Sequence, residues 1–146
     1  MATERWRAVL DTNVIIAACR SRNPQSPTIE LLKLWTDGAF DLLYSVALKD
    51  EYKEKLAERH ADPVRAQHFL VQLLQQGVLV NVSSIPRVIA ADPDDEVILA
   101  CAVAGQATHL VTYDLHFALL GDSYRGIRLI DGLHFLYLVR GDKPPV

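Results

Sequence analysis

Four acidic side chains, Asp11, Glu51, Asp95 and Asp114, are the residues of this sequence whose types and settings could do chemistry together. Carboxylates brought to one point repel one another and raise each other's pKa, so their convergence becomes favourable when a cation joins them. An all-oxygen donor set suits hard ions. Mg2+ or Mn2+ is therefore implied, each ion taking one or two carboxylates and keeping several waters. Such a cation lowers the pKa of a water, orients it towards a phosphodiester and stabilises the leaving oxygen, above all where two ions lie about 4 Å apart.

The positions of these acids matter more than their number. Asp11 follows the apolar run AVL and Asp114 follows LVTY, so both stand at the ends of expected strands. In open parallel sheets, sites form beyond the carboxyl ends of the strands, near the point where strand order reverses. Either Asp alone also reads as a turn or helix-cap residue. Glu51 lies on an expected helix whose Leu48, Tyr52 and Leu56 repeat every four residues. It falls about 60° from Leu48, on the border of the buried face, whereas Asp50 points to water; the plainer reading is a surface pair with Lys55. Asp95 shares a helical face with Ile98, Leu99 and Ala102, which turns it inward at the start of an otherwise apolar helix. Its neighbour Asp92 reads as the N-cap, with Pro93 at N1 and Asp94 in an acidic first turn.

The elements that must position these residues alternate along the chain. Strands are expected at RAVL (7–10), FDLLYS (40–45), VLVNVS (78–83), HLVT (109–112) and IRLI (127–130). Helices are expected at VIIAAC (14–19), TIELLKLWT (28–36, with Thr28 as a cap and Gly38 as the stop), VALKDEYKEKLAER (46–59), VRAQHFLVQLLQQ (64–76), DDEVILACAVA (94–104), LHFALL (115–120) and DGLHFLYLV (131–139). The absence of tight two-residue hairpins in this reading points to a mainly parallel sheet covered on both faces, an α/β fold in three layers. Half of the 146 residues are hydrophobic, enough for one core, and one domain is expected over 1–146 with its core at about 7–138.

In this order and spacing, LDTNVIIAA, SVALKDEYKEKL, DPDDEVILACAVAG and HLVTYD resemble the PIN domain, in particular toxins of the VapC-like type. The resemblance runs from Arg7 to about Leu138. It implies a metal-dependent ribonuclease with a central parallel sheet, whose four acids fall on Asp11, Glu51, Asp95 and Asp114. Asn13 and Thr112 fall on supporting polar positions, and Asp92 and Asp94 stand near enough to assist. Members of this family commonly hydrolyse RNA, work in toxin–antitoxin pairs and associate as dimers, so RNA, a cognate antitoxin and a second copy of the chain are the implied partners. The sequence departs from the commoner pattern at Leu115-His116-Phe117, where an acid and a leucine are usual.

Other features narrow the reading. A net charge of −3 argues against nucleic-acid binding by overall charge, though cations in the acidic site offset it. Arg20 and Arg22, flanking the loop after the first helix, are candidates to meet RNA phosphates. Cys19 and Cys101 sit among small apolar residues and read as buried free thiols. The histidines His109, His116 and His134 read as packed or capping residues, and Trp35, Phe69 and Phe135 as core or protein interface. No run is long enough to span a bilayer and the start lacks the order of a signal peptide, so a cytoplasmic protein is expected. Two other functions fit less well. A phosphotransfer domain with Mg2+ at strand-end Asp residues would want an Asp where Asn13 stands or a Lys after a late strand. A non-catalytic protein-binding module would not need the four acids.

Overall fold

The computed structural model describes residues 5–82, 93–113 and 123–142, without the side chains of 93 and 94. Along the chain run β1 (Arg7–Leu10), α1 (Thr12–Arg20), α2 (Pro27–Thr36), β2 (Asp41–Tyr44), α3 (Val46–Glu58), α4 (Pro63–Gln76), β3 (Val78–Leu79), α5 (Pro93–Ala104), β4 (His109–Val111), β5 (Ser123–Tyr124), β6 (Ile127–Ile130) and α6 (Gly132–Arg140). The strands form one sheet in the order β3-β2-β1-β4-β6-β5. Every pairing is parallel except that of β5 with β6. The chain steps outward from β1 to β2 and β3, then returns through α5 to β4 on the other side of β1. Because such crossovers are right-handed, connections that step in opposite directions cover opposite faces of the sheet. The result is an α/β fold with a mainly parallel central sheet flanked by helices.

Composition explains why the central strands hold. Ala8, Val9 and Leu10 of β1 and Leu42 and Leu43 of β2 have no exposed surface, as strands covered on both faces require. On α3 the stripe Leu48, Tyr52 and Leu56 is buried as its spacing predicts. The starts of α3, α4 and α6 are capped by side chains: Ser45 accepts from the Leu48 amide, Asp62 from Val64 and Arg65, and Asp131 from His134. Trp35 and Phe69 pack with ring centres 5.9 Å apart and Phe40 meets Phe135 edge-on at 5.2 Å, which places these aromatics in the core. Cys19 and Cys101 are buried free thiols, and burial pushes the Cys101 thiol up to about 12.

Three expectations need correction. The structure contains a tight hairpin: β5 and β6 are joined by Arg125 and Gly126, at φ of 51° and 81°. Two consecutive left-handed residues are what a two-residue hairpin with the twist of its strands demands. Arg in the first place hid it. Secondly, the strand expected at 78–83 stops after Leu79. Its partner β2 ends at Tyr44, where the chain turns into α3, so beyond the bond from the Val80 amide to the Tyr44 carbonyl no strand among the described residues continues the pairing. Thirdly, α2 begins two residues earlier than a Thr28 cap would have it, with Ser26 at the N-cap and Pro27 at the first turn. The helix expected at 115–120 lies outside the described residues. Among the described residues no helix is long and apolar enough to cross a membrane.

Candidate active site

The centre of the carboxyl edge is the crevice between β1 and β4, where the order of strands reverses. Asp11 lies in it. Its amide donates to the Val111 carbonyl at 2.9 Å, which ties the end of β1 to the end of β4, and its own carbonyl accepts the Val14 amide to open α1. The residue thus occupies the N-cap position of α1, yet its side chain makes no capping bond. Instead the buried carboxylate accepts a 2.6 Å hydrogen bond from the Thr112 hydroxyl, which comes from the end of β4. Asp62 and Asp131 stand at the same kind of position and do cap their helices. The plain reading of Asp11 as a cap therefore fails.

Glu51 is brought to the same edge by α3. It is buried, and its carboxylate accepts from the Thr12 hydroxyl at 3.1 Å, one residue from Asp11. The next residue, Tyr52, is fully buried and donates its hydroxyl to the carbonyl of Leu10, on the other side of Asp11. Burial raises the Tyr52 pKa well above its usual value, with Cys101, Asp11 and Glu51 adding to the effect, so the tyrosine feels both acids. Asp50 faces solvent. Thr12 and Tyr52 are thus the site residues that the sequence reading missed. Nothing in their type set them apart; only the register of α3 against β1 reveals them.

Asp95 is 6% exposed, on the face of α5 that carries the buried Ile98, Leu99 and Ala102. The helix packs on α3, β1, β2 and β4. Its far end is fixed at the amino edge, since the Gly105 carbonyl accepts from the Arg7 side chain and Thr108 is bonded to the Arg7 backbone in both directions. Twelve helical residues rise about 18 Å. The start of α5, and Asp95 with it, is thereby carried towards the edge where Asp11 lies.

A family model described as "PIN domain" matches residues 7–116, most of the chain. The chain belongs to the PIN-domain family. Its fold is similar to that of a chain in the crystal structure of VapBC2 from Rickettsia felis bound to a DNA fragment from their promoter. The TM-score is 0.55 at 16% identity, over 84% of this chain and 96% of that one. No curated protein matches in sequence.

Thr112 holds Asp11, whereas Asn13 is exposed on the first turn of α1. Arg20 and Arg22 are both exposed, and Arg22 lines a shallow surface depression with Pro24, Ile29 and Arg65. The side chains of Asp92, Asp94 and Asp114 lie outside the described residues, as does His116. His109 is buried in the PIN fold beside Trp6 and Phe135, and burial, with Arg128 nearby, lowers its pKa to about 4. His134 contacts the capping Asp131.

Among the described residues no three His, Cys, Asp or Glu side chains close on one point. A hard cation does not require that, since one or two carboxylates and several waters suffice for Mg2+. The donors present at the crevice are oxygens, the Asp11 and Glu51 carboxylates, and each is oriented by a threonine hydroxyl. That chemistry fits Mg2+ or Mn2+ and not a thiolate or imidazole metal.

Proposed function

We propose that this PIN-domain protein is a metal-dependent endoribonuclease, the toxin of a toxin–antitoxin pair, with Asp11, Glu51, Asp95 and Asp114 holding Mg2+ or Mn2+. The observation that carries the reading is the carboxylate of Asp11, which stands at an N-cap without capping and accepts from Thr112 across the crevice. The cation supplies the acidity that makes water a nucleophile at neutral pH and positive charge for the departing oxygen. The chain supplies orientation. Thr112 fixes one carboxylate and Thr12 the other, while Tyr52 ties α3 to β1 so that Asp11 and Glu51 keep their separation. Asn13 supports the site, Asp92 and Asp94 assist it, and Arg20 and Arg22 meet phosphates of the bound RNA.

A protein partner is part of the same proposal. The neighbour from Rickettsia felis is a VapBC2 assembly. Here the outer face of α4 exposes Val64, Val71 and Leu74, and a groove of about 340 Å3 between α2 and α4 is lined by Ile29, Leu32, Val64 and Phe69 with Lys33 and Arg65 at its border. An antitoxin segment on this surface, a homodimer, a single domain with its core at 7–138 and a cytoplasmic setting complete the reading. Exposed apolar surface rimmed by polar and charged residues marks protein interfaces.

The test is cleavage of several RNAs by purified wild type and Asp11→Asn protein, with Mg2+, with Mn2+ and with chelator. Cleavage confined to wild type with metal is the expected result. Full cleavage by Asp11→Asn protein free of contaminating nuclease would refute the role of Asp11.

A further inference from the structure

Tyr113 follows Thr112, the residue that holds Asp11, and it is 47% exposed. Among the described residues it is the one aromatic side chain among the large exposed hydrophobics, the others being Val46, Val64, Val71, Leu74, Leu79 and Leu133. Its ring is anchored at the far end. The hydroxyl end lies against Gly132 at the start of α6, so close that a Cβ at position 132 would lie 2.2 Å from the hydroxyl oxygen. A side chain at position 132 would displace the ring from this position. The ring is therefore held through its backbone at the end of β4 and by contact of its hydroxyl end with Gly132 of α6, while much of its surface faces solvent.

A polar tip fixed in the protein and a ring left exposed form a rigid stacking platform. The setting is the edge that carries Asp11, and Leu133, 38% exposed on the first turn of α6, extends the apolar surface beside Gly132. Unpaired bases stack on such rings, whereas bases within a duplex are already stacked on each other. From this geometry we infer that Tyr113 stacks an unpaired base of a single-stranded RNA next to the site of cleavage, and so acts as a positioning residue that selects unpaired over double-stranded RNA. The inference rests on the nuclease reading for the cleavage it positions, but base stacking can be read without cleavage.

The probe is a mixed-sequence single-stranded oligoribonucleotide carrying 2-aminopurine, bound in the presence of chelator. Wild type is expected to quench its fluorescence, Tyr113→Trp to retain the quench, and Tyr113→Ala to lose it with binding weakened about tenfold. The same oligoribonucleotide paired to its complement is expected to show no quench. With metal, Tyr113→Ala is expected to raise KM by a similar factor and leave kcat within about twofold. Equal quenching by wild type and Tyr113→Ala, or by single strand and duplex, overturns the inference, as does a fall in kcat at unchanged KM. Quenching without any cleavage by wild type sinks the nuclease reading and leaves the stacking role standing. Tyr113→Gln repeats the comparison should the alanine variant fail to fold.

Discussion

The two edges of the sheet are built from similar residue types put to opposite uses. At the amino edge acids and bases cancel: Asp41 accepts from Arg5 at 2.7 Å and lies 3.9 Å from Arg7, and the Arg7 guanidinium goes on to the Gly105 carbonyl. His109 sits there in an aromatic pocket, packed against Trp6 and Phe135. At the carboxyl edge Asp11, Glu51 and Asp95 are buried, and hydroxyls help to orient two of them, Thr112 for Asp11 and Thr12 for Glu51. The apolar side chains are also reversed. Val46, Leu79, Tyr113 and Leu133, each beside the end of a strand, are exposed around the carboxyl edge. A closed edge keeps the fold; an edge with oriented carboxylates and uncovered apolar surface is poised for a ligand.

The largest effects should separate these edges by activity. Glu51→Gln and Asp95→Asn are expected to reduce RNA cleavage by at least about a hundredfold, the scale of losing one group that stabilises developing charge. Their melting temperatures should stay near that of wild type. Asp41→Asn, which removes a carboxylate of the amino edge, should leave kcat/KM within about twofold. Equal losses from Asp41→Asn and Glu51→Gln in steady-state assays would erase the distinction.

Tyr52→Phe comes next, because it cuts the link between α3 and β1 without emptying the core. The Leu10 carbonyl loses a buried donor, and a loss of roughly 1–3 kcal/mol in urea unfolding is expected. A fall in kcat beyond the change in stability would show that this tie also fixes the spacing of Asp11 and Glu51. An unchanged unfolding curve would remove Tyr52 from the account.

The sequence reading anticipated a good deal of this, and its failures have physical causes. Alternation of apolar runs with amphipathic segments is a local signal, so β1, β2, β6 and every described helix could be placed from it. The inward turn of Glu51 and Asp95 followed from helical geometry alone. What escaped were features set by partners distant in sequence. Thr12 and Tyr52 acquire roles only because α3 is laid against the end of β1, 39 and 42 residues away. The early end of β3 depends on where its neighbour stops, and the hairpin of β5 and β6 was masked by an Arg in a left-handed position. The distinction between a capping Asp and a site Asp was equally invisible, since Asp11, Asp62 and Asp131 all precede helices and differ only in what their carboxylates touch.

The pH dependence of stability should belong to the amino edge. His109 is held neutral by burial, with a pKa near 4 in the folded protein against about 6.5 in the unfolded chain. Above pH 6.5 the two states bind the same number of protons at this site, and its neutral packing counts in full. Below it the unfolded chain takes up a proton that the folded protein refuses. Stability is then lost as pH falls from about 6.5 to about 4, at no more than about 1.4 kcal/mol per pH unit. Thermal melts at pH 7 and pH 5 should show this drop in wild type and a smaller one in His109→Phe. The same drop in both proteins would assign the effect to other groups.

The smallest effect tests how far the cancellation of charge at the amino edge matters. Arg5 and Asp41 are partly exposed, so solvent screens most of their attraction, although Arg5 also donates to the Gly38 carbonyl at the end of α2. Arg5→Ala is expected to lower stability by about 0.2–1 kcal/mol, less at high salt, and to leave cleavage unchanged. Its measurement is a pair of urea titrations at low and high ionic strength. A loss independent of salt would shift the weight from the ion pair to the packing of the Arg5 stem and its bond to Gly38. A loss of cleavage would mean that the closed edge communicates with the open one through β1, the strand that begins two residues after Arg5 and ends at Leu10, next to Asp11.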